Sequence, residues 1–149
     1  MDLEALFSIA STAALAGWII LLLRPLAPKL VDAVAGLALP LFISLIYTGL
    51  ILAYWAGLEG GFDSLAAVRL LFTQDEAILA GWTHFLAFDL FVGALCLRVA
   101  QEEGVPHLAM IPALALTLYF GPIGLVATAT LIAIARLTRR RGEARPAYS

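Results

Sequence analysis

Between Ile78 and Leu97 the chain runs for twenty residues with only two side chains that carry charge near neutral pH, His84 and Asp89. At about 1.5 Å of rise per helical residue, that length matches the ~30 Å hydrocarbon core of a bilayer. A charged side chain at the centre of such a helix costs roughly 2.5–3.5 kcal/mol or more. Leucine at the same position would avoid that cost. Asp89 is therefore the first place to look for function.

The rest of the chain obeys the same constraint. With 62% hydrophobic and 13% charged residues, it is far from the half-apolar, quarter-charged balance of soluble domains. One integral membrane domain is expected over residues 1–149, with spans at about 3–23, 31–56, 78–98 and 105–136 and a basic, mobile tail at 137–149. The fold class expected is all-α: a four-transmembrane-helix bundle with proline- and glycine-broken helices and a short interfacial helix after the second span. The first span is not a signal peptide, because Asp2 and Glu4 stand where a basic n-region belongs. Arg24 to Lys29 reads RPLAPK, and its two prolines end the first helix and return the second antiparallel beside it. Pro40 lies inside the second span, where it leaves the Gly36 carbonyl without its usual partner. Tyr54 and Trp55 suit an interfacial aromatic belt. The deeper Tyr47 hydroxyl needs a partner at its depth. Ser64 to Phe72 is too short to cross and is expected to lie at the membrane surface. Thr73 or Asp75 is expected to cap the third span.

Helical spacing sorts the third span into faces. Trp82, Phe85, Asp89, Gly93 and Cys96 share one stripe. His84, five residues before Asp89, is rotated from it by about 140°. Gly93 suits either close helix approach or room for a ligand. A hydrogen bond to a neighbouring hydroxyl is the structural reading of Asp89, and interfacial packing that of His84. Cys96, the single cysteine, makes no internal disulfide and suits apolar packing. The fourth span carries Pro112 and the breaker GPIG at Gly121 to Gly124. Returning antiparallel, it is expected to set Thr117, Phe120 and Gly121 at the depth of Asp89, and Pro122 and Gly124 near His84. His107 falls at the far end from His84, so the two histidines do not form one metal site. Neither a metal nor a cofactor is expected.

These residues resemble a known family. W-x-H-x-x-x-x-D-L-F-V-G (Trp82 to Gly93), V-P-H (Val105 to His107) and F-G-P-x-G (Phe120 to Gly124) are similar, in order and spacing, to the small membrane proteins related to plant neoxanthin synthase. The resemblance runs from about Pro25 to Arg136 and is densest from Trp82 to Gly124. It implies a membrane-embedded protein that modifies carotenoids or other isoprenoids, since plant members are linked to conversion of violaxanthin into neoxanthin. The short chain, without a plastid transit sequence, points to a bacterial-type member. Opening an epoxide to an allenic alcohol is a net isomerisation, needing an acid at oxygen and a base for a carbon-bound proton. Asp89 is a credible acid, since leaving water disfavours its charged form, and His84 a complementary base. Trp82, Phe85, Gly93, Tyr47, Thr117, Tyr119, Phe120, Gly121, Pro122 and Gly124 are the candidates for holding the substrate.

Two other classes stay open: a non-catalytic subunit binding a carotenoid, retinoid or quinone, and a proton or ion transporter using Asp89. The expected partners are membrane lipid, an apolar isoprenoid ligand and a second copy in a homodimer, with no nucleic acid. Five of nine basic residues lie in the last fourteen positions. Grouping these with Arg69 by the positive-inside rule places both termini in the cytoplasm of a bacterial inner membrane.

Overall fold

In a computed structural model that describes residues 2–143, the first helix begins where the Asp2 carboxylate accepts the Ala5 N–H at 3.1 Å. Six helices follow from there: α1 Leu3–Leu22, α2 Pro28–Gly57, α3 Leu65–Leu71, α4 Asp75–Glu102, α5 His107–Phe120 and α6 Pro122–Glu143. Four of them, α1, α2, α4 and α6, are long and apolar enough to cross a membrane. Their outward side chains include Leu52, 83% exposed, and Leu45, 70% exposed. Hydrocarbon, rather than water, suits such a surface.

Prolines act differently at the three expected breaks. At Pro40 the helix does not break; Val34–Ala38 widens into a π turn, in which the Leu39 N–H reaches back five residues to the Val34 carbonyl. That wider turn absorbs the missing donor without a kink in direction. Pro112 likewise sits inside an unbroken α5. Only Pro122 marks a true break, and there the chain reverses. Gly121 adopts φ +45°, and Pro122 opens α6 as its first residue. Helix α6 then runs back beside α5 until Arg136 bonds Glu103 through Nε at 3.0 Å and again through Nη2.

This reversal changes two expectations. Pro122 and Gly124 do not continue toward His84; Gly124 instead packs on Thr117 of α5. The ends of the described chain also lie at opposite ends of the bundle, not together. Helix α1 starts near Asp75, whereas Arg136 and Arg139 finish beside Glu103. Residues 137–143, expected as a mobile tail, continue α6, and the remainder of that tail lies outside the described residues. The cap of α4 also differs: Gln74 holds that position without a side-chain capping bond, its amide pairing with Glu59 instead, while Asp75 and Glu76 occupy the first turn.

The Glu103 end is tied by polar contacts. Arg24, only 8% exposed, grips Asp32 through Nε at 2.7 Å and Nη2 at 2.9 Å, and donates through Nη1 to Gln101. Gln101 lies 3.0 Å from His107 Nδ1, and His107 Nε2 lies 3.1 Å from the Leu22 carbonyl. One direction of donation satisfies the whole chain of bonds. Gln101 donates its amide hydrogen to Nδ1, and the Nε2–H donates to Leu22. The hydrogen bond from Arg136, with both nearby guanidinium charges, holds the Glu103 carboxyl below its ordinary value of 4.5.

The core is thickest at this end too. Trp18, Leu21, Leu90, Leu97, Met110 and Leu114 form its main cluster, with Cys96 buried among them as a small apolar residue. A smaller cluster of Ala10, Ala14, Ile43, Leu86 and Ala87 fills the middle. At the opposite end the cluster shrinks to Leu50, Leu79 and Ala80, with Leu71 and Ala77 buried at the same level.

Candidate functional site

Asp89 stands halfway along α4, and what it meets is the tip of the α5–α6 hairpin. A Cβ built on Gly121 would lie 2.9 Å from Oδ1 and 3.3 Å from Oδ2 of Asp89. Only glycine allows both this approach and the positive φ. The positive end of the α6 dipole begins at the next residue, Pro122. Yet the carboxyl group is not fixed in place by bonds, for Oδ2 is buried without a hydrogen-bond partner. An unmet polar atom of this kind costs about 1–3 kcal/mol. Two buried hydroxyls of this bundle are already engaged with their own helices: Thr117 bonds the Ala113 carbonyl at 2.9 Å and Thr83 the Leu79 carbonyl at 3.0 Å.

Because the hairpin reaches only to the depth of Asp89, a groove remains beyond its tip between α1 and α4. It encloses about 800 Å³ and runs from Asp2, Glu4 and Asp75 at its mouth to Trp82 and Phe85 at its inner end. Asp89 follows Phe85 by one helical turn on the same face. Trp82 is fixed by a 3.0 Å bond from Nε1 to Ser11 and by stacking on Phe7 and Phe85, each at 5.8 Å between ring centres. The mouth is acidic and the interior aromatic. A neutral, elongated apolar molecule fits those walls, and an anion does not.

His84 belongs elsewhere. Its ring lies 5.6 Å from that of Tyr47 and 4.6 Å from that of Phe88, and it lines a separate cavity between α2 and α4. Among the described residues no hydrogen bond joins His84 to Asp89, and the rotation of about 140° read from helical spacing keeps them on different sides of α4. His107 is engaged in the polar chain at the far end.

Of the other candidates, Trp82 and Phe85 line the groove, while Thr117, Gly121 and Gly124 build the hairpin tip. Gly93 holds no ligand space, since the Trp18 ring already fills it, with Cζ3 2.8 Å from a Cβ placed there. Tyr119 and Phe120 point outward, 72% and 58% exposed, and Pro122 is exposed as well. The stripe of spacings did not find Phe7, Ser11 or Phe72, which line or buttress the groove from other elements. Depth matching finds one of them. α1 and α4 run parallel, and Ser11 and Trp82 lie eight and seven residues into their helices.

No curated protein and no solved structure matches this chain. The sequence model of the ABA DEFICIENT 4-like family matches residues 5–127, from the first turn of α1 to the first turns of α6. The matched stretch holds Asp89, the aromatic walls of the groove and the whole hairpin tip, so the helical membrane fold described above is that of an integral membrane protein belonging to the ABA DEFICIENT 4-like family, related to neoxanthin synthase.

Proposed function

We propose that the protein is a cofactor-independent isomerase that opens an epoxide on a carotenoid-like isoprenoid, with Asp89 as its reacting group. The observation that carries this reading is the unpartnered Oδ2 of Asp89, buried one turn beyond an aromatic groove. One carboxyl group can serve both halves of the reaction in turn. As its proton passes to the epoxide oxygen, the carbon–oxygen bond breaks. The carboxylate left behind then takes the proton of the neighbouring vinylic carbon, whose bonding electrons complete the allene. Proton and electron counts close without an oxidant. The groove would hold the polyene between Trp82, Phe85 and Phe7, and the glycine joint at Gly121 would let the tip lift from Asp89 as the ring end arrives.

In this reading His84 is not the partner base, because it lines the other cavity. The lack of any second acid or base beside Asp89 also favours a different class, a subunit that binds an isoprenoid without turning it over. Purification in mild detergent, followed by mass spectrometry of extracted pigments and incubation with an epoxy-carotenoid, separates the two. Conversion by the wild type that disappears in Asp89→Asn supports catalysis. A bound isoprenoid that is unchanged by incubation supports the binding subunit instead.

We also infer the orientation. Arg24, Lys29, Arg98, Arg136, Arg139, Arg140 and Arg141 lie at the Glu103 end, against Arg69 alone at the other. The positive-inside rule then sets the Glu103 end in the cytoplasm of a bacterial inner membrane and the start of α1 on the opposite side.

A further inference from the structure

The cavity lined by His84 is a built site in its own right. It encloses about 490 Å³ between α2, α3 and α4, within the usual range for small-molecule pockets. Trp55 and Phe62 stack at its outer end, 5.6 Å apart and within 18° of parallel. Phe72 closes its side, lying over Gly81, where the absence of a Cβ leaves room for the ring. About 12 Å deeper along α2, the rings of Tyr47 and His84 lie 5.6 Å apart between centres, and neither side chain bonds to another described residue. No charged side chain lines the walls.

Each feature narrows the occupant. Uncharged walls in an apolar setting exclude an ionic head group, whose desolvation nothing would offset. Aromatic faces suit a flat ring. A tyrosine O–H and an imidazole N–H both donate, so they match one acceptor with two lone pairs, a carbonyl oxygen. The outer end opens at the level of Trp55, where an apolar tail can continue into lipid. We propose that this cavity is a second ligand site, distinct from the Asp89 groove, which takes a neutral ring ketone of the quinone type with its carbonyl between Tyr47 and His84. The inference does not depend on the chemistry assigned to Asp89.

The test is titration of the full-length protein in detergent with decylubiquinone, read by tryptophan fluorescence. Saturable quenching that disappears in Trp55→Phe is expected. Tyr47→Phe and His84→Leu should each weaken the apparent Kd by about tenfold, the equivalent of about 1.4 kcal/mol. His84→Gln, which keeps a donor, should recover much of the loss, and melting temperatures of all variants establish that they are folded. Asp89→Asn should bind the quinone as the wild type does. Quenching that does not saturate, or that survives Tyr47→Phe and His84→Leu unchanged, overturns the proposal. So does loss of binding in Asp89→Asn, because the two sites would then be one. Binding of 3-hydroxy-β-ionone with none of decylubiquinone overturns the quinone assignment.

Discussion

Gly124 of α6 lies so close to Thr117 of α5 that a Cβ on the glycine would stand 2.6 Å from the threonine Cα. The obstacle is backbone, which cannot swing aside as a side-chain end can. Gly124→Ala should therefore force the hairpin apart and destabilise the protein by several kcal/mol, in the range of overpacked cores. Gly121→Ala meets a positive φ and the Asp89 carboxyl, with an expected loss of about 1–3 kcal/mol. Gly49→Ala is the control, as its Cβ meets nothing within 4 Å. Thermal unfolding in detergent should rank them Gly49→Ala, Gly121→Ala, Gly124→Ala, from most to least stable.

Asp89→Asn should separate stability from activity. Its Oδ2 has no partner to lose, so the melting temperature should stay level or rise. Conversion of an epoxy-carotenoid should fall by about 10²-fold or more, the usual size of an acid–base contribution. A variant with wild-type turnover would remove Asp89 from the chemistry.

Asp32→Ala leaves Arg24 buried and without its carboxylate. Breaking a buried pair from one side costs about 3–5 kcal/mol, and partial exposure of Asp32 places the expected loss at the lower end. Replacing Arg24 with lysine keeps the charge but loses the fork that reaches both Asp32 and Gln101. Both changes should loosen the α1–α2 turn, read as faster hydrogen exchange around Arg24.

Stability should depend on acid through Glu103. Its folded-state value lies below 4.5, so the carboxylate contributes in full above that pH. The contribution is lost as pH falls through the depressed folded value. Melting curves taken downward from pH 6 should show this decline in the wild type, and a flatter profile in Glu103→Gln.

Orientation is open to labelling. In a Cys96→Ala background, cysteines at Leu26 and Arg140 should react with an impermeant maleimide from the same side of the membrane. A cysteine at Ser64 should react from the other. Labelling of Arg140→Cys together with Ser64→Cys would mean that α6 crosses in full.

The helices themselves were legible because bilayer thickness fixes their length. α1 was expected to end at about residue 23 and ends at Leu22, and the short helix expected from Ser64 to Phe72 is Leu65–Leu71. The 140° between His84 and Asp89 follows from helical geometry alone, and His84 lines a cavity that Asp89 does not reach. The reversal at Gly121 was not legible. A Gly-Pro pair breaks a helix equally well as a kink or as a turn, and the choice rests on contacts distant in sequence, such as Arg136 with Glu103. Once that choice was missed, Arg136 and Arg139 were grouped with Arg69 instead of with Glu103. Gly93 was ambiguous for a related reason, since the ring that fills it belongs to Trp18, seventy-five residues earlier.

The uneven core has a mechanical consequence. One half of the bundle is clamped by bidentate pairing, small-residue packing and a doubled-back hairpin, while the other has a small core cluster and a helix of two turns. Thermal motion will concentrate in the softer half, where both hollows open. The stiff half serves as the anvil against which a guest molecule is positioned, and mutations that tighten the loose end should make the protein hardier while slowing the entry and exit of whatever it holds.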